Sequence, residues 1–164
     1  MSVPTHRHEL VTYRRFPQNA LRRVSKRLER IKQRPPSHVP RLIEYGFVDG
    51  RIRIAQALVK GSPLSEVSQE LAPQDWADLR EMLFLQTPLW REEGFIHGDL
   101  SPSNILIDRD QSGAITVAYV DWTLDLEGFE ATPLFAAPEV FRGKRSFESD
   151  RHSISEILRA YGVL

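Results

Sequence analysis

Asp49-Gly50 narrows the choice of fold more than any other pair in the chain. It lies between two apolar-rich runs, Leu42-Ile43-Glu44-Tyr45-Gly46-Phe47-Val48 and Arg51-Ile52-Arg53-Ile54-Ala55. A two-residue connection between strands needs positive φ at both central positions, which Asp-Gly accepts at little cost. The segment therefore predicts a β-hairpin, and with it an antiparallel sheet.

Helical patterning flanks the hairpin. Leu21, Val24, Leu28 and Ile31 recur at steps of three and four and form one apolar stripe. Pro17 suits the entrance of that helix, and Pro35-Pro36 stops it. Before it, Glu9 to Phe16 reads as a short strand, rich in strand formers at Leu10-Val11-Thr12-Tyr13. After a loop at Lys60-Gly61-Ser62-Pro63, Trp76, Leu79, Leu83 and Leu89-Trp90 predict a long helix ending near Gly94. Two short strands follow, Asn104 to Asp108 and Ile115 to Val120, then a loop from Asp121 to about Glu139. The end reads as a helix from Ser149 to Tyr161, with Ser149 as N-cap and Ile154, Ile157 and Leu158 as its stripe. The order is strand, helix, two strands, helix, two strands, loop, helix. That is α+β with antiparallel hairpins, not a doubly wound sheet. At 164 residues the chain predicts one domain.

Charge excludes some functions. Lys+Arg and Asp+Glu both number 22, so net charge is zero, which argues against a coat for nucleic acid or an anionic membrane. The charge is uneven: from Arg14 to Arg34 there are nine Arg or Lys residues, and Glu29 is the only acid. This basic helix, residues 18–34, reads as a solvated face or as a docking surface for an acidic partner. With no Cys, there is no disulfide framework, thiol nucleophile or Cys-type zinc site. No apolar run approaches the roughly 20 residues of a membrane helix. The opening MSVPTHRHEL lacks the apolar core of a secretory leader. A cytoplasmic location is the expectation.

The chemistry concentrates in Phe95-Ile96-His97-Gly98-Asp99-Leu100-Ser101-Pro102-Ser103-Asn104-Ile105-Leu106-Ile107-Asp108. Phosphoryl transfer needs cations on phosphate oxygens and a carboxylate to orient the attacking hydroxyl. Magnesium takes hard oxygen ligands, and one or two carboxylates with an amide suffice. Asp99 and Asn104 lie five apart across a loop entering a strand. Asp121 ends the next strand, after Ala118-Tyr119-Val120, so pairing of the two strands would bring Asp121 beside Asn104. Loop capping is the plainer reading of Asp99 and Asn104, since Asp and Asn favour turns.

The run His97-Gly98-Asp99-Leu100-Ser101-Pro102-Ser103-Asn104 resembles the catalytic loop of the protein-kinase-like family, written HRDLxxxN. Asp121-Trp122-Thr123 lies where that family has Asp-Phe-Gly, and Ala137-Pro138-Glu139 matches the motif closing its activation segment. Asp150, eleven residues on, matches the aspartate that begins the next large helix. The resemblance covers most of the chain. It implies an α+β, minimal kinase-like fold with a reduced N-lobe over residues 1–58 and a truncated C-lobe over 59–164. It implies ATP and Mg2+ as cofactors, and transfer of phosphate to a Ser or Thr hydroxyl of a protein substrate. Asp99 would be the catalytic base, and Asn104 and Asp121 the metal ligands. Arg14 and Glu29 would form the phosphate-positioning pair. Gln56, Ala57, Leu58 and Val59 would hold the adenine, with Leu106 also lining the nucleotide. His97 and Trp122 read as structural groups under the metal loop, and Thr132 as a support for Asp99 or an ordinary turn residue. Arg14 and Glu29 read equally as a surface arginine and a solvated helix glutamate.

The departures from the family pattern define the alternatives. Only thirteen residues precede Arg14, so no glycine-rich loop is available, and arginine stands where the family has lysine. Gly98 replaces an arginine, Ser101 a lysine and Thr123 a glycine. The form His-Gly-Asp-Leu-Ser is similar to atypical RIO and Bud-type kinases and to aminoglycoside phosphotransferases, whereas Ala137-Pro138-Glu139 is similar to protein kinases. Small bacterial effector kinases show comparable minimisation, which implies manufacture in one cytosol and action in another. A pseudokinase scaffold is the first alternative and a small-molecule kinase the second. With the later helices of a full kinase lacking, Leu158, Tyr161 and Val163-Leu164 should present an uncovered apolar face, and hence a self-association or partner surface.

Overall fold

The computed structural model describes residues 9–129 and 131–164. The opening eight residues, read above as lacking a leader's apolar core, lie outside the described residues. In the hairpin, Asp49 and Gly50 take φ of 48° and 70°, the two positive values that a primed turn needs. They join β2 (Leu42–Val48) to β3 (Arg51–Ala57). β1 (Glu9–Arg14) adds to the other edge of β3, giving an antiparallel sheet of order β1-β3-β2. Helix α1 (Gln18–Gln33) enters at Pro17 and buries Ala20, Val24, Leu28 and Ile31. Leu21, read as part of the stripe, sits at its half-exposed margin. The buried residues of this region include Leu42, Ile52, Ile54 and Ala55. Together these elements make up a compact unit that runs to Val59, and Lys60–Leu164 forms a second.

In the second unit, the loop read at Lys60–Pro63 holds a two-residue strand, β4 (Ser62–Pro63), paired with Leu106 and Ile107. Gly61 makes this possible: its φ is +120°, and a Cβ there would lie 2.9 Å from the Ile107 carbonyl oxygen. A short α2 (Leu64–Val67) and a 3-10 turn lead into α3 (Pro73–Glu93). Pro73 opens α3, and the Ala72 amide donates to Asp75 Oδ2 at 2.9 Å. Gly94 closes it in the left-handed conformation, at φ 67°. β5 (Ile105–Arg109) and β6 (Ile115–Tyr119) pair antiparallel, with Ile105 opposite Tyr119 and Arg109 opposite Ile115. The second sheet therefore has the order β4-β5-β6.

The last helix, α4 (Phe147–Ala160), corrects the sequence reading. Its cap is Ser146, not Ser149. Ser149 N donates to Ser146 Oγ at 3.2 Å, and Ser146 N donates to Ser149 Oγ at 2.9 Å. Ser149 is thus the third residue of a reciprocal capping box. Of the residues expected to form a bare apolar face, Leu158 is fully buried and Tyr161 lies against Trp76 of α3 at 5.1 Å, while Tyr161 and Val163 stay partly exposed. Leu164 remains half exposed. The architecture among the described residues is α+β, with two three-stranded antiparallel sheets and four helices. No helix among them is long and apolar enough to cross a membrane.

Candidate functional site

The loop from His97 to Asn104 connects the end of α3 to β5, and three layers of contact hold it. Beneath it lies an aromatic cluster. Trp90 of α3 meets Phe95, His97 and Tyr119 at 5.3, 5.8 and 4.7 Å, and Phe95 meets Trp122 at 6.2 Å. His97 is fully buried in this layer. Its Nε2 lies 2.9 Å from the Val120 carbonyl oxygen, and the Asp99 amide points at Nδ1 at 3.4 Å. One ring nitrogen must donate and the other accept, so the network assigns the neutral Nε2–H tautomer. His97 and Trp122 are structural groups, as read from the sequence.

The second layer is Asp150, in the first turn of α4 and 2 % exposed. Its Oδ2 accepts from the His97 amide at 2.7 Å and its Oδ1 from the Gly98 amide at 2.8 Å. A carboxylate this deep is tolerated because amide donors meet both oxygens. The loop backbone is thereby fixed from below.

The third layer orders the side chains on top. Asn104 Nδ2 donates to the Asp99 carbonyl oxygen at 2.8 Å, closing the loop on itself. Thr132 donates twice to Asp99 Oδ1, from its amide and its hydroxyl, both at 2.9 Å. Of the two readings of Thr132, the support for Asp99 is the one the contacts match. Among the described residues, the hydrogen bonds to the Asp99 carboxylate from Thr132 both fall on Oδ1. The Val120 amide donates to the Asn104 carbonyl oxygen at 2.9 Å, which extends the β5–β6 pairing by one residue and leaves Asp121 one position past the partner of Asn104. Asp121 takes φ 54°, a left-handed conformation that aspartate adopts more readily than most residues, as Asp49 does in the hairpin. Thr123 follows, and its amide donates to the His97 carbonyl oxygen at 2.8 Å.

Asp99 and Asn104 share one loop, and Asp121 follows the strand paired with β5, all within the second unit. Leu106 lies in the same unit on β5, opposite Ala118. The remaining candidates lie in the first unit. Arg14 ends β1 opposite Ile52 and is exposed. Glu29, on α1, accepts from the Tyr45 hydroxyl at 2.9 Å and from Gln33 Nε2 at 2.8 Å. The Tyr45 bond, then the Gln33 bond, hold its carboxyl below the usual range. Gln56 lies on β3, where its Nε2 is buried and has no hydrogen-bond partner among the described residues. The Ala57 amide donates to the Arg41 carbonyl oxygen at 2.8 Å, Leu58 is 58 % exposed, and Val59 ends the unit.

Among the described residues no group of three or more His, Asp or Glu side chains converges as a metal cluster. The divalent-ion set expected from sequence needs less: the Asp121 carboxylate and the Asn104 amide oxygen. Asn104 spends its nitrogen on the Asp99 carbonyl, so its side-chain oxygen is the atom that could meet a cation. That donor chemistry fits magnesium, which keeps several waters and binds through few protein groups.

Arg145 was not legible from sequence. It is buried, and its Nε donates to the Gly98 carbonyl oxygen at 2.9 Å. Its Nη1 donates to the carbonyl oxygens of Leu126, at 3.2 Å, and Gly128. A cleft of about 500 Å³ between α3 and α4, lined in part by Phe84, Arg91, Phe147 and Arg151, contains none of the candidate residues. No known protein-family model matches the chain.

Proposed function

We propose that the protein transfers phosphate from ATP, with magnesium, to a Ser or Thr hydroxyl of a protein substrate. One observation carries this reading. Asp99 has one carboxylate oxygen pinned by Thr132, while Asn104 bonds its carbonyl and pairs with Val120, the residue before Asp121. A carboxylate held by one oxygen, with the other available, is what a base for a hydroxyl requires. In this reading the hydroxyl proton passes to Asp99 Oδ2 as the hydroxyl oxygen bonds to the γ-phosphorus, and the bond to the departing ADP breaks. Asn104 and Asp121 would hold magnesium, which neutralises charge on the phosphate oxygens. Asp150 and Asn104 keep the loop rigid, so little reorganisation accompanies the transfer.

The test is transfer of labelled phosphate from ATP to a panel of protein substrates. Asp99→Asn should lower the rate by about 10²–10⁴-fold, the range for loss of a general base. Equal labelling by wild type and Asp99→Asn would refute the assignment. A second reading, a silent binding module, is favoured by Glu29, whose carboxylate is taken up by Tyr45 and Gln33. It predicts no labelling at all.

A further inference from the structure

Arg145 bonds to two stretches of chain, each of which leads to a residue at Asp99. One is the loop carrying Gly98, the residue immediately before Asp99. The other is the segment 126–128, which leads to Thr132. The guanidinium donates to Gly98 O through Nε and to Leu126 O and Gly128 O through Nη1. Thr132 in turn donates twice to Asp99 Oδ1. The contacts close a ring: Asp99, Gly98, Arg145, the 126–128 segment, Thr132 and back to Asp99.

Gly98 is shaped for this arrangement. Its φ is +82°, and a Cβ there would lie 2.8 Å from Arg145 Cδ and 3.1 Å from Thr123 Cβ. A side chain at this position would occupy the path of Arg145 to the Gly98 carbonyl. Glycine and arginine are therefore complementary here. The planar fork matters as well, because a single ammonium has no fixed pair of directions with which to serve both stretches.

We propose that Arg145 is a positioning residue for Asp99. Its buried guanidinium clamps the 126–128 segment to the catalytic loop and so keeps Thr132 on the Asp99 carboxylate. The proposal rests on the reading of Asp99 as the base, and its test has a readout independent of activity.

The experiment compares wild type with Arg145→Lys and Arg145→Met. Lys keeps the charge, whereas Met keeps bulk without burying an unpaired cation. Hydrogen exchange is followed in peptides covering 124–135 and in peptides from α3 and α4, alongside kcat and KM for phosphate transfer. In both variants, exchange in 124–135 should rise at least tenfold while α3 and α4 keep their protection. kcat should fall at least tenfold, with KM for ATP unchanged. Unchanged exchange in 124–135 would overturn the proposal. So would equal loss of protection in α3 and α4, or failure of both variants to fold, since Arg145 would then be a general structural residue. If wild type transfers no phosphate, the function fails, and the exchange data alone decide whether the clamp holds Thr132.

Discussion

Replacing Asp150 with Asn isolates the contact that fixes the loop from His97 to Asn104. The carboxylate accepts from two backbone amides, His97 at 2.7 Å and Gly98 at 2.8 Å, one on each oxygen. Hydrogen bonds to a charged acceptor contribute about 1.5–3 kcal/mol each, and neutral ones about 0.5–1.5 kcal/mol. Asn offers one oxygen and one NH2 group, so one amide would face a donor and the other would keep only a neutral bond. Relief from burying a carboxylate offsets part of that loss. The net cost should be about 2 kcal/mol. For a unit of about a hundred residues this lowers Tm by about 8–10 °C. Thermal unfolding followed by circular dichroism measures it, and amide exchange at His97 and Gly98 should accelerate in parallel. A Tm within about 2 °C of wild type, with both amides still protected, would refute the claim that Asp150 holds the loop.

Two further perturbations test the packing and the charge network. Tyr119 is 1 % exposed, its hydroxyl has no hydrogen-bond partner among the described residues, and burial pushes its pKa far up. Tyr119→Phe should therefore be neutral or stabilising by up to about 1–3 kcal/mol, and a clear loss of stability in chemical denaturation would show that the hydroxyl is paired. Asp75 accepts from both Nη atoms of Arg109, at 3.0 and 2.7 Å, and from the Ala72 amide; the Arg109 bond first, then the amide, lowers its pKa. A folded pKa below the unfolded one gives stability that is present above the unfolded value and lost as pH falls through the folded one. The Tm difference between wild type and Asp75→Asn should thus be full at pH 7 and shrink below about pH 4. An equal difference at pH 7 and pH 3 would contradict this sign.

Local rules made much of the fold readable. The Asp49-Gly50 turn needs no distant partner, because positive φ is a property of the two residues themselves. The stripe Val24, Leu28 and Ile31 reports its own burial through its period. The pairing of the two strands that Asn104 precedes and Asp121 follows was readable as well, from their apolar runs and the turn between them. What stayed hidden depends on long-range contact. β4 exists only because Gly61 lets the chain press against Ile107. Leu158 and Tyr161 looked uncovered, yet Leu158 is buried and Tyr161 meets Trp76 of α3. Ser149 looked like a cap because Ser favours that position, yet the same pattern read one turn earlier gives the Ser146–Ser149 box. Arg145 carries no motif, and only its burial and its three carbonyl partners reveal it.

The most direct test of the central claim is a titration of ATP against the protein with and without magnesium, in wild type and Asp121→Ala. The account predicts binding that depends on magnesium and is lost in Asp121→Ala, with labelled phosphate then appearing on protein. ATP binding that is the same with and without magnesium, and the same in Asp121→Ala, would contradict it.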